Sequence, residues 1–445
     1  MPDVSPPVPA PPAISGIFRQ ILALAAPTSL VAAIQATAQI IETVLAARQG
    51  TAALAGWAVV LPFALLMQQM STGAMGGGVV SAIARALGAG RRDDASALVL
   101  HAMLIAAGFA AGFMLLMVGF PGPILRLVGG PEAAAAAIPY ALILFGLGAL
   151  PAWMANTLAS VLRGGGRHGL AARTMVVAWI AYPILAWALA EPFGMGLPGL
   201  GLAFAIVFAA ASVAMWVTVA LGGAGFVPHW RVPIQRVLFG RILSVGLIAC
   251  VLAALANLTT ILVTAQLVPW GVAAVAAYGI AARLEFLMVP LSFGVGSALT
   301  ALVGRAVGAQ DWVRARRTAW VGGGLALLVA GSAGVVVGVF PGPVAAAFST
   351  DPAVLAIAAG ALAITGPALG GFGLGMAMYF AAQGAGRMTG PLLAAICRIG
   401  FAVGGGWLLA GPLGMGLAGH FWGVAAGITA YGLVTAASVR PSVWR

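Results

Sequence analysis

Long apolar runs separated by short, arginine-bearing connectors recur along the chain. They cover about 17–46, 53–83, 97–119, 134–160, 171–190, 197–222, 238–267, 271–303, 315–339, 353–381, 390–410 and 415–438. As helices, such runs are long enough to cross ~30 Å of hydrocarbon, which takes ~20 predominantly apolar residues. A β-barrel requires alternating ~10-residue strands, whereas these runs are continuous and rich in Ala, Leu and Gly. The pattern predicts an all-α polytopic membrane protein with twelve transmembrane helices. Residues 2–13 are Pro-rich and carry no basic stretch, and the first apolar run exceeds a signal-peptide core, so 1–16 reads as a tail and not a cleaved leader.

Four motifs recur at one offset of 220 residues. Phe120-Pro121-Gly122-Pro123 returns as Phe340-Pro341-Gly342-Pro343, and Arg85-Ala86-Leu87-Gly88-Ala89 as Arg305-Ala306-Val307-Gly308-Ala309. Gly164-Gly165-Gly166-Arg167 returns as Gly384-Ala385-Gly386-Arg387, and Gly194-Met195-Gly196-Leu197 as Gly414-Met415-Gly416-Leu417. Each half holds six runs, an even number, so both halves enter the membrane from the same face. The expectation is two six-helix lobes related by a pseudo-two-fold axis along the membrane normal. The lobes are 17–222 and 236–445, joined by a linker at 223–235.

The arginines set the orientation. With the N-terminus inside, Arg19, Arg85, Arg91, Arg92, Arg163, Arg167, Arg173, Arg231, Arg236, Arg241, Arg305, Arg314, Arg316, Arg317, Arg387, Arg440 and Arg445 share the inner side. The outer side receives Arg48 and Arg126, and Arg283 and Arg398 fall inside runs. Cytoplasmic connectors of membrane proteins are enriched in arginine, so both termini are expected in the cytoplasm.

Composition narrows the class further. The chain is 62% hydrophobic and 7% charged, with mean hydropathy +1.08; a soluble domain of roughly 25% charged residues is excluded. The net charge of +12 is carried by the connectors, so it does not indicate nucleic acid. Cys250 and Cys397 cannot build a disulfide framework. His101, His168, His229 and His420 have no metal-ligand spacing, and no Ser/His/Asp set is visible. Gly194 to Gly199 matches a dinucleotide fingerprint literally but follows a membrane helix, so no cofactor is expected.

Carboxylates inside hydrocarbon are costly and ask for a reason. Glu42 and Glu285 are the two that lie within runs. Gln35, Gln39 and Glu42 are spaced by four and three residues, which places them on one helix face. That stripe suits a cavity, with Glu42 as a proton-exchanging carboxylate; the plainer reading is an interfacial acid, near water or paired with Arg48. Glu285 lies about 22 Å from the outer end of its helix, and Arg398 about 13 Å from the inner end of its own. Both therefore sit in the inner half of the membrane, where they are either a structural ion pair or, for Glu285, a coupling group. Arg283 points to a different face. Pro27 predisposes the first helix to bend. Asn156 and Thr157 are candidates for an N-lobe cavity or interhelical glue. Helix 7 offers Asn257, Thr259, Thr260, Thr264 and Gln266, which line a substrate path or bond across helices.

Two stretches carry a family resemblance. Ile41-Glu42-Thr43-Val44 is followed by Gln49-Gly50-Thr51-Ala52-Ala53-Leu54-Ala55, and Ala86-Leu87-Gly88-Ala89-Gly90-Arg91-Arg92 is echoed around Gly304 to Gln310. They resemble the multidrug and toxic compound extrusion (MATE) family over essentially the whole chain, and the duplication fits that family's two six-helix lobes. The resemblance implies a cation-coupled antiporter of amphipathic, often cationic organic compounds, working by alternating access in a bacterial inner membrane. It implies an acid at the position of Glu42. Where many members carry Asp before a helix-5 proline, this chain has Tyr182-Pro183, which puts Tyr182 among the N-lobe cavity candidates. The acids that sodium-coupled members carry on helices 7 and 10 are missing from 238–267 and 353–381, which favours protons over sodium. The expected partners are small organic substrates and the bilayer, with the chain acting as a monomer. A lipid-linked precursor flippase of similar architecture is the alternative, although its cavity should hold several cations. A membrane-embedded enzyme is the weakest reading, for want of a nucleophile, base or metal cluster.

The topology is open to a direct test. Reporter tags fused at either terminus, or inserted in 223–235, should all report cytoplasm; an external report from the linker would break the six-plus-six division.

Overall fold

The computed structural model describes residues 13–444, so the Pro-rich stretch up to 12 and Arg445 lie outside the described residues. Eleven single helices and one bent pair in the described chain are long and apolar enough to cross a membrane. They are α1 (Ile14–Arg48), α2 (Thr51–Gly88), α3 (Arg92–Gly119), α4 (Pro121–Gly164), α5 (His168–Ala190) and α6 (Gly196–Ala220). The second set is α7 (Arg236–Trp270), α8 (Val272–Gly308), α9 (Trp312–Val339), α10 (Pro352–Thr365 and Leu369–Ala385, bent by 54°), α11 (Thr389–Ala410) and α12 (Leu417–Ala437). A short helix, Pro341–Ala346, joins α9 to α10.

The repeated Phe-Pro-Gly-Pro motif has a local cause. Phe120 and Phe340 each stand just before a helix whose first residue is proline. A proline there loses no intrahelical hydrogen bond and already has a helical φ. Gly130 breaks α4 with φ of 75°, directly before Pro131. The apolar runs locate the helices and mostly fall short of their lengths, because helices continue after the apolar stretch has ended; 197–222 and 415–438 instead slightly overrun α6 and α12.

Lipid is as apolar as a leucine side chain, so membrane helices associate through close backbone approach and polar contacts. Glycine supplies the approach here. A Cβ on Gly56 of α2 would lie 2.8 Å from the backbone nitrogen of Ala137 on α4. One on Gly199 of α6 would lie 2.9 Å from the Leu189 carbonyl carbon of α5. The first six helices close around one continuous apolar core that includes Trp153, Phe145 and Phe208.

The lobes meet at the arginine-rich end, through contacts that repeat under the 220-residue offset. A Cβ on Gly88 would lie 2.8 Å from the Arg305 carbonyl carbon, and one on Gly308 would lie 2.9 Å from that of Arg85. Arg305 Nη2 donates to the Gly165 carbonyl at 2.5 Å, while the Arg85 guanidinium lies against Gly386. Gly166 and Gly386, with φ of 76° and 72°, shape the turns that receive these arginines. Ser81 Oγ donates to the Gln383 carbonyl at 2.6 Å, and Gln383 Nε2 to the Gly73 carbonyl at 3.2 Å. Arg241 of α7 bridges to Asp94 of α3 at 2.7 Å. Toward the opposite end the lobes part, and Thr51–Gln69 packs on α4 and α1 of its own lobe.

This latch depends on glycine. Combining Gly88→Val with Gly308→Val should separate the lobes at the arginine-rich end. With Cys250 and Cys397 changed to Ser, a Ser81→Cys probe should then react several-fold faster with a water-soluble maleimide than it does with both glycines intact. Equal rates would mean that the close approach does not hold the closure.

Candidate functional site

Glu42 sits near the C-terminal end of α1, about one turn and a half before the helix stops at Arg48. The chain turns at Gln49 and at Gly50, whose φ is 103°, and runs back as α2. Glu42 and Trp57 stand equally far from that turn, so the hairpin brings them together. Trp57 Nε1–H donates to Glu42 Oε1 at 3.0 Å. The Tyr140 hydroxyl of α4 donates to the same oxygen at 3.0 Å. Gly56, next to Trp57, permits the α2–α4 approach that sets these two donors on one carboxylate. Tyr182 of α5 stands close to the same carboxylate. Tyr140 and Tyr182 are 2% and 1% exposed, and the Glu42 side chain is half-buried.

Two donors on one carboxylate oxygen, with Tyr182 close by, form an aromatic cage that can hold the anion in apolar surroundings. Gln35, Gln39 and Glu42 share the side of α1 opposite its exposed Leu30, Ile40 and Val44, so the stripe looks inward and the apolar face meets lipid. Arg48 does not serve Glu42; it pairs with Glu191 at 3.1 Å. That removes the reading in which Glu42 is one half of a surface ion pair with Arg48.

Deeper in the second lobe, Glu285 of α8 and Arg398 of α11 form an ion pair through Oε1 and Nη2, with side chains 16% and 11% exposed. The guanidinium also lies over the rings of Phe372, at 5.7 Å, and Tyr431, at 5.9 Å. Arg398 is thus enclosed by one carboxylate and two π faces. A small space beside the pair is lined by Tyr278, Thr365, Leu369 and Ile428.

The remaining candidates fall in several places. Asn156 and Thr157 are 4% and 3% exposed, and Asn156 Nδ2 donates to Gln68 Oε1 at 3.0 Å and Ser71 Oγ at 2.9 Å. This bond secures α4 to the π-turn Met70–Ala74 of α2, the part of an interhelical fastener. On α7, Asn257, Thr260 and Thr264 donate back to the carbonyls of Ala253, Ala256 and Thr260, and Asn257 is exposed. Gln266 donates to the Val403 carbonyl of α11 at 3.1 Å. Pro27 lies inside α1, next to Thr28, whose hydroxyl meets His168 Nδ1 at 3.2 Å. Among the described residues there is no group of three His, Cys, Asp or Glu side chains placed to hold a metal.

Sequence reasoning missed Trp57 and Tyr140. The symmetry of Glu42 and Trp57 about the Gln49–Gly50 turn was a readable signal. Tyr140 left none, because its position depends on how closely two distant helices pack.

The MatE family model matches residues 27–190 and 247–408. A probable multidrug resistance protein NorM of Aromatoleum aromaticum is 29% identical over 343 residues, covering 72% of this chain and 70% of that protein. A protein of the same description from Caulobacter vibrioides is 29% identical over 309 residues, covering 64% and 62% respectively. The crystal structure of the Vibrio cholerae MATE transporter VcmN in its bent form superposes with a TM-score of 0.88 at 23% identity, covering 97% of this chain and 98% of that one. The last is a likeness of fold.

The Glu285–Arg398 contact separates two roles experimentally. For a structural pair, Glu285→Gln alone should lower thermal stability by up to ~3–5 kcal/mol, because it strands a buried cation. Glu285→Gln with Arg398→Gln should recover much of that loss. A single variant that melts like the wild type yet fails in transport would assign Glu285 to transport instead.

Proposed function

The chain belongs to the MatE family, and from that premise we propose that it is a proton-coupled antiporter exporting amphipathic, often cationic organic compounds. Members of the family are transporters, so this chain is a transporter and not an enzyme. The observation that carries the proposal is Glu42, a carboxylate within a membrane helix held by the Trp57 and Tyr140 donors.

Charged Glu42 accepts hydrogen bonds from both donors. Protonated, it becomes a donor itself and accepts less strongly, so α2 and α4 lose part of their hold on α1. Proton uptake therefore changes how α1 sits against the N-lobe, and Pro27 gives the helix a place to bend. A cationic substrate and a proton compete for the same negative charge, which couples export of one to entry of the other. Alternating access then requires the inner latch to open while the outer ends of the lobes close. Protons are favoured over sodium because α7 and α10 contain no acid. Sodium binding calls for several converging oxygen ligands, whereas protonation needs one carboxylate.

The proposed setting is the inner membrane of a bacterium, with both termini in the cytoplasm, no nucleic-acid partner, and a single chain as the working unit.

Glu42→Gln keeps the size and most hydrogen bonding of the side chain but removes its titration. In proteoliposomes with an imposed pH gradient, it should abolish proton-driven efflux and leave the melting temperature near that of the wild type. Undiminished efflux would move the proton site elsewhere, with Glu285 next in line. An imposed sodium gradient that drives wild-type efflux without a pH gradient would overturn the choice of ion.

A further inference from the structure

Arg283 lies eleven residues along α8 from its start at Val272, about 16 Å below the outer end of the helix. In a hydrocarbon layer ~30 Å thick, that is close to mid-depth and too far for the guanidinium to reach headgroups. Unlike Arg398, it has no acid within ion-pair distance among the described residues. It is also exposed. An unpaired cation at this depth is expensive unless it faces water or a ligand.

The helix register says which way it faces. Eleven residues make just over three turns, so Arg283 and Gly294 share a face of α8 on either side of Pro290. Gly294 is where α8 meets α1: a Cβ there would lie 3.0 Å from the Ala25 carbonyl oxygen and from Ser29 Cβ. The buried Tyr278, Ala281 and Met288 occupy the opposite side, against the C-lobe core. Arg283 therefore stands three turns above the lobe contact, facing the space between the lobes.

Asn257 of α7 has the same relation to its own contact. It is exposed and lies eleven residues beyond Gly246, where a Cβ would come within 3.3 Å of Met75 Cα on α2. Val245 and Ala249 of α7 share one cluster with Ala74 of α2 and Phe293 of α8, so the two contacts are at one level. Asn257 and Arg283 therefore stand at a similar height on the C-lobe wall. The stripe of Gln35, Gln39 and Glu42 belongs to the other lobe, where Glu42 is held by Trp57 and Tyr140.

We propose that Arg283 is a specificity-determining residue that receives an anionic group of the exported amphiphile. The favoured substrates would then pair a cationic aromatic body with a carboxylate or a comparable anion. The inference rests on the export reading above and refines its substrate class. A planar guanidinium binds a carboxylate through two parallel hydrogen bonds, and Asn257 adds an amide at the same height. The two lobes offer opposite charges, Glu42 on one side and Arg283 on the other, which suits a zwitterion better than a simple cation. A lipid phosphodiester has similar anionic chemistry, so the test must separate the two sources.

The probes are a rhodamine with a free benzoate and the methyl ester of the same dye, which differ by one anionic group. Transport is measured in proteoliposomes of phosphatidylcholine, alone or with phosphatidylglycerol, under an imposed pH gradient. Binding of both dyes to the purified protein is measured by fluorescence anisotropy. Arg283→Gln should lower the benzoate-to-ester ratio about tenfold in binding and in transport, and Arg283→Lys should restore part of it. Because the readout is a ratio, it does not depend on how much protein folds. A ratio within twofold of the wild type overturns the assignment, as does a change confined to vesicles containing phosphatidylglycerol, which would give the anion to a lipid headgroup. Wild-type protein that binds both dyes in the expected ratio but transports neither would sink the export reading while leaving the recognition role standing.

Discussion

Hydrocarbon offers no hydrogen bond and little screening, so a charge inside the membrane must find its partners within the protein or border water. The three polar centres of this molecule answer that constraint in different ways. Glu42 is held by neutral aromatic donors, which stabilise a carboxylate without cancelling its charge. Arg398 is neutralised by Glu285 and covered by two rings. Arg283 has neither solution and is left facing the gap between the lobes. A caged carboxylate can still exchange its charge, a neutralised pair resists change, and an open cation waits for a counter-charge.

The packing that supports these centres follows from the same solvent. Side-chain hydrophobicity gives no net attraction between helices in lipid, so the fold relies on backbones brought close by glycine. Gly56 sets α4 against α2 and so places Tyr140 beside Trp57. Gly88 and Gly308 set the lobes against each other at the arginine-rich end, and the arginine side chains then reach carbonyl oxygens across the boundary. Residues with no chemistry of their own decide where the chemical groups stand.

Much of this was legible in the sequence. Apolar runs gave the helices, the common offset of four motifs gave the duplication, and depth matching along α8 and α11 pointed to the contact between Glu285 and Arg398. The break of α4 at Gly130–Pro131 was not read, because it lies in the stretch before the apolar run that opens at 134. What escaped was set by tertiary approach. Nothing near Tyr140 announces that it will face Glu42, and nothing near Arg48 selects Glu191 as its partner. Asn156 was readable as polar and interior, but its bond to Gln68 and Ser71 follows from the local register of a π-turn, which composition does not encode.

The latch has a further consequence. Arg85 packs beside Gly386 and Arg305 beside Gly166, while Gly88 meets Arg305 and Gly308 meets Arg85. This is the reciprocal geometry of an isologous interface, in which each patch is used twice across a two-fold axis. The closure is thus, in form, a homodimer contact preserved within one polypeptide. The 220-residue offset sets Leu262 opposite Glu42, Leu65 opposite Glu285 and Ala178 opposite Arg398. Symmetry is retained where the halves must fit together and lost where they carry charge. Duplication therefore supplied the hinge with its counterpart ready-made, and left each half free to take up a separate electrostatic task.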